Sequence, residues 1–466
     1  MKVEQIYTGC LAVAAYYIES DGEAAIIDPL RETAPYIRKA EKDNAKIKYI
    51  FETHFHADFV SGHVELAEKT GAVIVYGPNA NCGFKCYSAT DGEEFKVGRV
   101  TIKVLHTPGH TPESCTYLLV DEGGKQHCIF TGDTLFIGDV GRPDLAIKSD
   151  VTREDLAGML YDSLRTKIMV LPDELIVYPA HGAGSACGKS MSKETFDTLG
   201  HQKKVNYALQ PITKQEFIKE ITEGLLPAPQ YFSKNAMLNK EGAGSLDKVY
   251  STGLKKLSPA EFEVVVEDAG ALILDTRDPQ VFAKGFITGS INVGLNGQFA
   301  PWVGALITDL NQPIVIVCDE GKEEETVRRL ARVGYDNTLG YLDGGIAGWQ
   351  NAGKVIDTIN SISPDEFANR YAQNGLQVLD VRKPGEYSGG HVTNAENKPL
   401  DFINDWTGDL NRDKTYYVHC AGGYRSMITA SILKSRGFEN LVEVAGGYGA
   451  IAKTNVPKTD LIAETK

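Results

Sequence analysis

The chain has 466 residues and a formal net charge of −14, with 48 lysines and arginines against 62 aspartates and glutamates. That length allows about three domains, and the acidic balance excludes a nucleic-acid or anionic-membrane partner, which needs a basic face. The start, Met1-Lys2-Val3-Glu4-Gln5, has no apolar signal core and no run approaches the ~18 apolar residues of a membrane span, so a cytoplasmic protein is expected.

In chain order, β-rich runs at 24–28 and 100–105 alternate with helical patterns such as 64–70. Four apolar runs end in ligand-type residues. They are 47–51 before Thr53-His54-Phe55-His56-Ala57-Asp58-Phe59, 100–105 before Pro108-Gly109-His110, 128–132 before Asp133, and 175–178 before Pro179-Ala180-His181. Loops at strand ends are where a rigid scaffold presents chemistry, and imidazole with carboxylate suits a divalent transition metal. Phe59 cannot ligate, so a site for one metal is expected. Single histidines are ordinarily surface or satisfied core residues, and His106, His127 and His201 are read that way; four such placements are not produced by bland packing. The eight cysteines lack the density of a disulfide scaffold. Cys82 and Cys86, the one close pair, are read as structural or incidental, because no second pair completes a metal site. The stretch 211–257, with Leu226-Pro227-Ala228-Pro229, is expected to be an irregular linker packed on the first domain.

The second half repeats itself. Leu274-Asp275-Thr276-Arg277-Asp278-Pro279 recurs as Leu379-Asp380-Val381-Arg382-Lys383-Pro384, and each copy later closes on Gly-Gly, at 344–345 and 446–447. Buried-looking strands at 313–317 and 415–418 and helix-like segments at 323–333 and 425–436 predict two α/β units of roughly 100 residues with parallel sheets. In the last copy a strand ends at His419-Cys420, then Ala421-Gly422-Gly423-Tyr424-Arg425-Ser426 leads into a helix. Such a loop aims backbone N–H groups at the Cys420 sulfur at the positive end of the helix, which stabilises a thiolate and its persulfide. Arg425 adds charge for an anionic sulfur donor or acceptor. In the middle copy, aligning Gly321 with Gly422 sets Asp319 opposite Cys420, Glu324 opposite Arg425, and Cys318 opposite His419 at a buried strand end. A carboxylate is no sulfur nucleophile and an acidic loop repels anions, so an inactive spacer is expected there.

Asp28, His54-x-His56-x-Asp58, His110, Asp133 and His181 together resemble the metallo-β-lactamase superfamily over about residues 1–200. Thr107-Pro108-Gly109-His110-Thr111-Pro112, Gly132-Asp133-Thr134-Leu135-Phe136 and the string from Gly138 to Leu145 resemble its persulfide dioxygenase branch. In two-metal members such as the glyoxalase II hydrolases a histidine stands where this chain has Phe59. The resemblance implies that His54, His110 and Asp133 bind one Fe(II) per chain, and that His56, Asp58 and His181 orient ligands, bind water or hold a weak second metal. It implies that Arg142 binds the anionic thiol carrier; the other reading is a solvated arginine or a loop-fixing salt bridge. Cys187 is read either as a small buried cysteine or as a sulfur shuttle whose pKa Lys189 lowers.

The last copy resembles a rhodanese domain over about 360–460, through Asp380-Val381-Arg382 and the Cys420 loop. Four residues between Cys420 and Arg425, one fewer than in protein phosphatases, favour sulfur over phosphate. The implied fold is α/β and α+β multidomain: a metallo-β-lactamase αββα sandwich with a C-terminal extension at 1–245, a degenerate rhodanese-like domain at 246–357 and an active rhodanese domain at 358–466. The implied substrates are a low-molecular-weight thiol persulfide (glutathione, coenzyme A or similar), O2 and sulfite. Cys420 and Arg425 would be catalytic and Ala421, Gly422, Gly423 and Tyr424 would bind substrate, giving thiosulfate and clearing sulfide. The rival is a zinc-dependent, glyoxalase II-like thioester hydrolase fused to a sulfurtransferase. A homo-oligomer is compatible with either.

Overall fold

The computed structural model describes residues 1–146, 151–225, 227–373 and 375–459. The end of the expected last domain, 460–466, lies outside the described residues, as does Leu226. The chain divides into two compact units. The first holds Met1–Leu246 with Ala331–Gly334, and the second holds Asp247–Leu330 and the chain from Tyr335 onward.

The first unit is built on two six-stranded sheets. One runs in chain order through Lys2–Thr8, Val13–Ser20, Glu23–Ile27, Lys46–Glu52, Val73–Tyr76 and Tyr87–Ser88. The other is ordered Asp197–Thr198, Ile176–Pro179, Gln126–Gly132, Cys115–Val120, Val100–His106, Glu94–Val97. Side chains alternate across each strand. Tyr16 and Ile18 therefore point between the sheets, into one core with Phe51, Tyr117 and Phe130. Tyr17 points outward and packs with Ile26, Ile50 and Leu66 under the helices Ala34–Lys42 and His63–Thr70. On the far side Leu118, Ile129 and Val177 pack against Ala157 and Leu160 of the helix Arg153–Ser163. The layers are thus helix, sheet, sheet, helix, the expected αββα sandwich.

The stretch 211–257 is not irregular. It forms the helices Lys214–Thr222, Phe232–Glu241 and Leu246–Gly253. A capping box of Thr213 and Glu216 starts the first, and Phe217 and Ile221 bury against Leu160. Cys82 and Cys86 form a disulfide.

In the second unit each repeat is a five-stranded sheet with every pairing parallel. The repeated Asp-x-Arg has a structural cause. Arg277 grips Asp275 and donates to Gly285 O at 2.8 Å; Arg382 grips Asp380 and donates to Gly390 O at 2.8 Å. Asn292 and Asn397 clamp the same turn from the next strand. These buried pairs hold the strand end in one geometry in both copies. Among the described residues, no helix is long and apolar enough to cross a membrane.

Candidate functional site

The four strand-end segments converge. Lys46–Glu52 leads to His54, Val100–His106 to His110, Gln126–Gly132 to Asp133 and Ile176–Pro179 to His181. Asp133 Oδ2 lies 3.3 Å from His110 Nε2 and 4.0 Å from His54 Nε2, and ligand atoms of all three lie within 4.8 Å of one another. All are buried. Both carboxylate oxygens of Asp133 are buried without a hydrogen-bond partner, a costly arrangement unless a cation compensates it. The outer ring nitrogens set the tautomers. His110 Nδ1–H donates to Arg142 O at 2.9 Å. His54 Nδ1–H donates to Thr53 Oγ1 at 3.0 Å, and the Thr53 hydroxyl donates onward to Asp28 Oδ2 at 2.9 Å. Both Nε2 lone pairs are left toward Asp133. Burial, then His56, His110 and His181, hold the His54 pKa well below its ordinary value, so its ring is neutral, as ligation requires. Gly141 is obligatory here: a Cβ would stand 2.1 Å from Asp133 O and 3.0 Å from His110 Nδ1. The donor set fits one divalent transition metal.

His56 goes elsewhere. Its Nε2 lies 3.1 Å from Asp28 Oδ1 and 3.5 Å from Glu52 Oε2. Burial opposes a charge on this ring, but the two carboxylates outweigh it and raise its pKa well above the ordinary value. Asp58 Oδ2 is 3.6 Å from His181 Nε2, which is 3.4 Å from Asp133 Oδ1. His56, Asp58 and His181 still keep ligand-type atoms within 4.8 Å of one another.

Sequence reasoning missed Asn239, which is 1% exposed on the helix Phe232–Glu241. Its amide donates to His56 O and Phe59 O at 2.7 Å each, and its Oδ1 accepts from Ser61 N at 2.7 Å. The motif loop is pinned by a residue of the supposed linker. The polar segment around it carried no signal beyond its helical spacing.

Arg142 is buried and forms the loop-fixing pair, with Nε 2.6 Å from Asp144 Oδ1 and Nη2 2.7 Å from Asp144 Oδ2, and Nη1 donating to Ala186 O at 3.2 Å. Cys187 joins Asp133 and His181 in one cluster. Its expected activation by Lys189 does not occur. Asp139 Oδ2 accepts from Lys189 N and Ser190 N at 2.6 Å each, turning the chain, and Lys189 Nζ donates to Glu220 O at 2.6 Å. Burial, then the carboxylates of Asp58 and Asp133, push the Cys187 thiol well up.

In the last repeat Cys420 follows the strand Tyr416–His419 and precedes the helix Tyr424–Ser435. Gly423 N donates to its Sγ at 3.1 Å. Tyr448 N donates to Cys420 O at 2.6 Å and Gly449 N to Ala421 O at 3.0 Å, fixing the loop from the next helix. Ala421 and Gly422 are exposed, and Tyr424 is half-buried. Arg425 is not free to hold an anion by itself. It forms a bidentate pair with Glu386 at 2.6 and 2.7 Å, which holds the Glu386 carboxyl below the usual range.

The middle repeat corrects an expectation. Asp380 pairs with His419, and the equivalent Asp275 pairs with Val317, so Cys318 rather than Asp319 stands in the place of Cys420. Gly321 and Gly423, each three residues on, both take positive φ, as do Gly344-Gly345 and Gly446-Gly447. The Cys420 loop has two adjacent glycines, and matching Gly321 to the first shifts the frame by one. Cys318 is half-buried, not buried, and Glu323 takes the place of Arg425. Burial, then Glu323, Asp275 and Asp319, push the Cys318 thiol up to about 12. The loop has the cysteine without the electrostatics that would ionise it.

Residues 8–84 and 87–181 match the metallo-beta-lactamase superfamily, and residues 258–352 and 363–454 match the rhodanese-like domain. The cytoplasmic hydroxyacylglutathione hydrolase of Arabidopsis thaliana is 33% identical over 165 residues, 35% of this chain and 60% of its own length. The mitochondrial persulfide dioxygenase of Homo sapiens is 31% identical over 214 residues, 45% of this chain and 74% of its own length. The chain thus spans about three-fifths of that hydrolase. A solved metallo-beta-lactamase from Staphylococcus aureus subsp. aureus COL superposes with a TM-score of 0.66 at 32% identity, over 73% of this chain and 99% of that one. The chain belongs to the metallo-β-lactamase superfamily, its first domain followed by two rhodanese-like domains.

Proposed function

We propose that the first domain is an iron(II) persulfide dioxygenase and that Cys420 is the sulfurtransferase nucleophile. The first reaction is RSSH + O2 + H2O → RSH + sulfite + 2 H+, with the outer sulfur oxidised and O2 reduced. In the second, the Cys420 thiolate attacks the outer sulfur of another RSSH, releasing RS− and leaving Cys420-S-SH. Sulfite then attacks that outer sulfur, the S–S bond to Cys420 breaks, and thiosulfate leaves.

The observation that carries this reading is the different partners of the two motif histidines, whose rings lie 4.2 Å apart. His54, His110 and Asp133 form a three-ligand face, while His56 is drawn off by Asp28 and Glu52. An iron(II) ion on that face supplies redox activation of O2 and a binding position for soft sulfur, which redox-inert zinc does not. Thr53 and the Arg142 carbonyl orient the imidazoles. His54, His110 and Asp133 are buried, which keeps bulk water from them. Gly423 N–H stabilises the developing charge on the Cys420 sulfur. The similarity to the human persulfide dioxygenase supports the reading. The middle repeat is inactive in sulfur transfer because its thiol stays protonated at neutral pH.

A second reading, zinc-dependent thioester hydrolysis, draws on the His56, Asp58, His181 group and on the Arabidopsis relative. A Cys420→Ser variant tests the first. It is expected to consume O2 and release sulfite in place of thiosulfate. Thiosulfate at the parent rate would contradict the division of labour.

A further inference from the structure

The helix Tyr424–Ser435, whose first turn cradles Cys420, is buried on every side from Ser426 to Leu433, unlike a surface helix with one polar face. Part of its cover comes from the middle repeat. Phe282, Ala283 and Phe286 pack on Met427 and Ala430, Asn292 N donates to Ser431 Oγ at 2.9 Å, and Tyr424 OH donates to Gly294 O at 2.7 Å. A polar chain also crosses between the repeats. Gln280 Nε2 donates to Glu443 Oε2 at 3.2 Å, and Ser361 Oγ donates to the same oxygen at 2.6 Å. Glu443 Oε1 is 2.9 Å from Ser426 Oγ, and Ser426 Oγ is 3.0 Å from Gly423 O. The Ser426 hydroxyl has one proton for two neighbours. Burial raises the Glu443 pKa above its ordinary value, against the hydrogen bonds from Ser361, Ser426 and Gln280 that lower it, and the Ser426 hydroxyl, within reach of both Glu443 Oε1 and Gly423 O, links the two. Gln280 also borders a cavity of about 240 Å3 that opens on Gly422 and Gly423.

We propose that the middle repeat is a working part of the Cys420 site: Gln280, through Glu443 and Ser426, holds Gly423 where its N–H meets the Cys420 sulfur. Gln280 and Glu443 are then positioning residues for sulfur transfer, and the repeat that lacks chemistry of its own is retained as a buttress. The idea rests on Cys420 acting as the sulfur-transfer nucleophile.

The test uses the full chain with Gln280→Ala, Glu443→Ala and Glu443→Gln. Sulfur transfer from thiosulfate to cyanide gives kcat and KM, the pH profile of Cys420 alkylation reads the sulfur's surroundings, and O2 uptake serves as the control. Breaking the chain at either residue is expected to lower kcat about tenfold at unchanged KM. The alkylation midpoint should rise by about one pH unit, with O2 uptake as in the parent. Glu443→Gln, which keeps the side-chain shape and an acceptor oxygen, should restore the parent values. Parent kcat and alkylation profile in Gln280→Ala and Glu443→Ala would overturn the proposal, as would a loss that Glu443→Gln fails to rescue. A parent chain without sulfur transfer would instead refute the assignment of Cys420, and the alkylation profile would still decide the positioning claim.

Discussion

The ring of Phe59 lies 4.4 Å from the ring of His56, inclined by 34°, and on its Nε2 edge His56 meets Asp28 at 3.1 Å. An apolar ring thus packs on a histidine whose pKa the two buried carboxylates raise well above its ordinary value, against the burial that opposes a charge. His56 meets Asp28 and Glu52, while His54, His110 and Asp133 bring their ligand-type atoms within 4.8 Å of one another.

Phe59→His places an imidazole beside His56 and Asp58. Zinc bound at saturation is expected to rise from about one ion per chain toward about two, and O2 uptake to fall. Elemental analysis of zinc-reconstituted protein reads the first effect; an unchanged stoichiometry would mean that Phe59 does not set the metal number.

Thr53→Val removes the hydroxyl that orients His54 with little change in volume. Metal affinity is expected to drop about 10–100-fold, measured by chelator competition. Affinity equal to the parent would show that Thr53 has no part in holding the ring.

Asn239→Ala leaves His56 O, Phe59 O and Ser61 N without their partner. The first unit is expected to lose about 2 kcal/mol or more, seen as an earlier calorimetric transition, and to release metal faster. Met237→Ala on the same helix, at an exposed position, should change neither.

Cys318 carries a pH signature. With its thiol pushed up to about 12, its thiolate fraction at pH 8 is about a thousandfold below that of an ordinary cysteine. Its alkylation, followed by mass spectrometry, should keep accelerating above pH 9. The stability that the protonated thiol contributes is fully present below the unfolded value near 9 and is lost as pH rises toward 12. Glu323→Arg should lower the midpoint; a midpoint near 9 in the parent protein would contradict the account.

The parts of the site that were legible in the sequence share one property: each ligand follows an apolar strand run, so local pattern places His54, His110, Asp133 and His181 at strand ends. Cys420 was legible for the same reason. Asn239 was not, because its contacts lie about 180 residues away and no local rule reaches that far. Lys189 misled because two residues of separation say nothing of where a long side chain turns, and Asp139 decides that. Cys318 was misplaced by one residue because glycines were matched instead of the strand, whose register is set by the Asp275 and Asp380 pairings. The helices of 211–257 were obscured by prolines, although Thr213 and Glu216 announced the first of them.

The most direct measurement is metal content of the anaerobically prepared full chain together with O2 uptake on adding glutathione persulfide. The account predicts about one iron per chain, with O2 consumed as sulfite and thiosulfate form. A zinc-filled chain that hydrolyses a glutathione thioester and takes up no O2 with persulfide would contradict it.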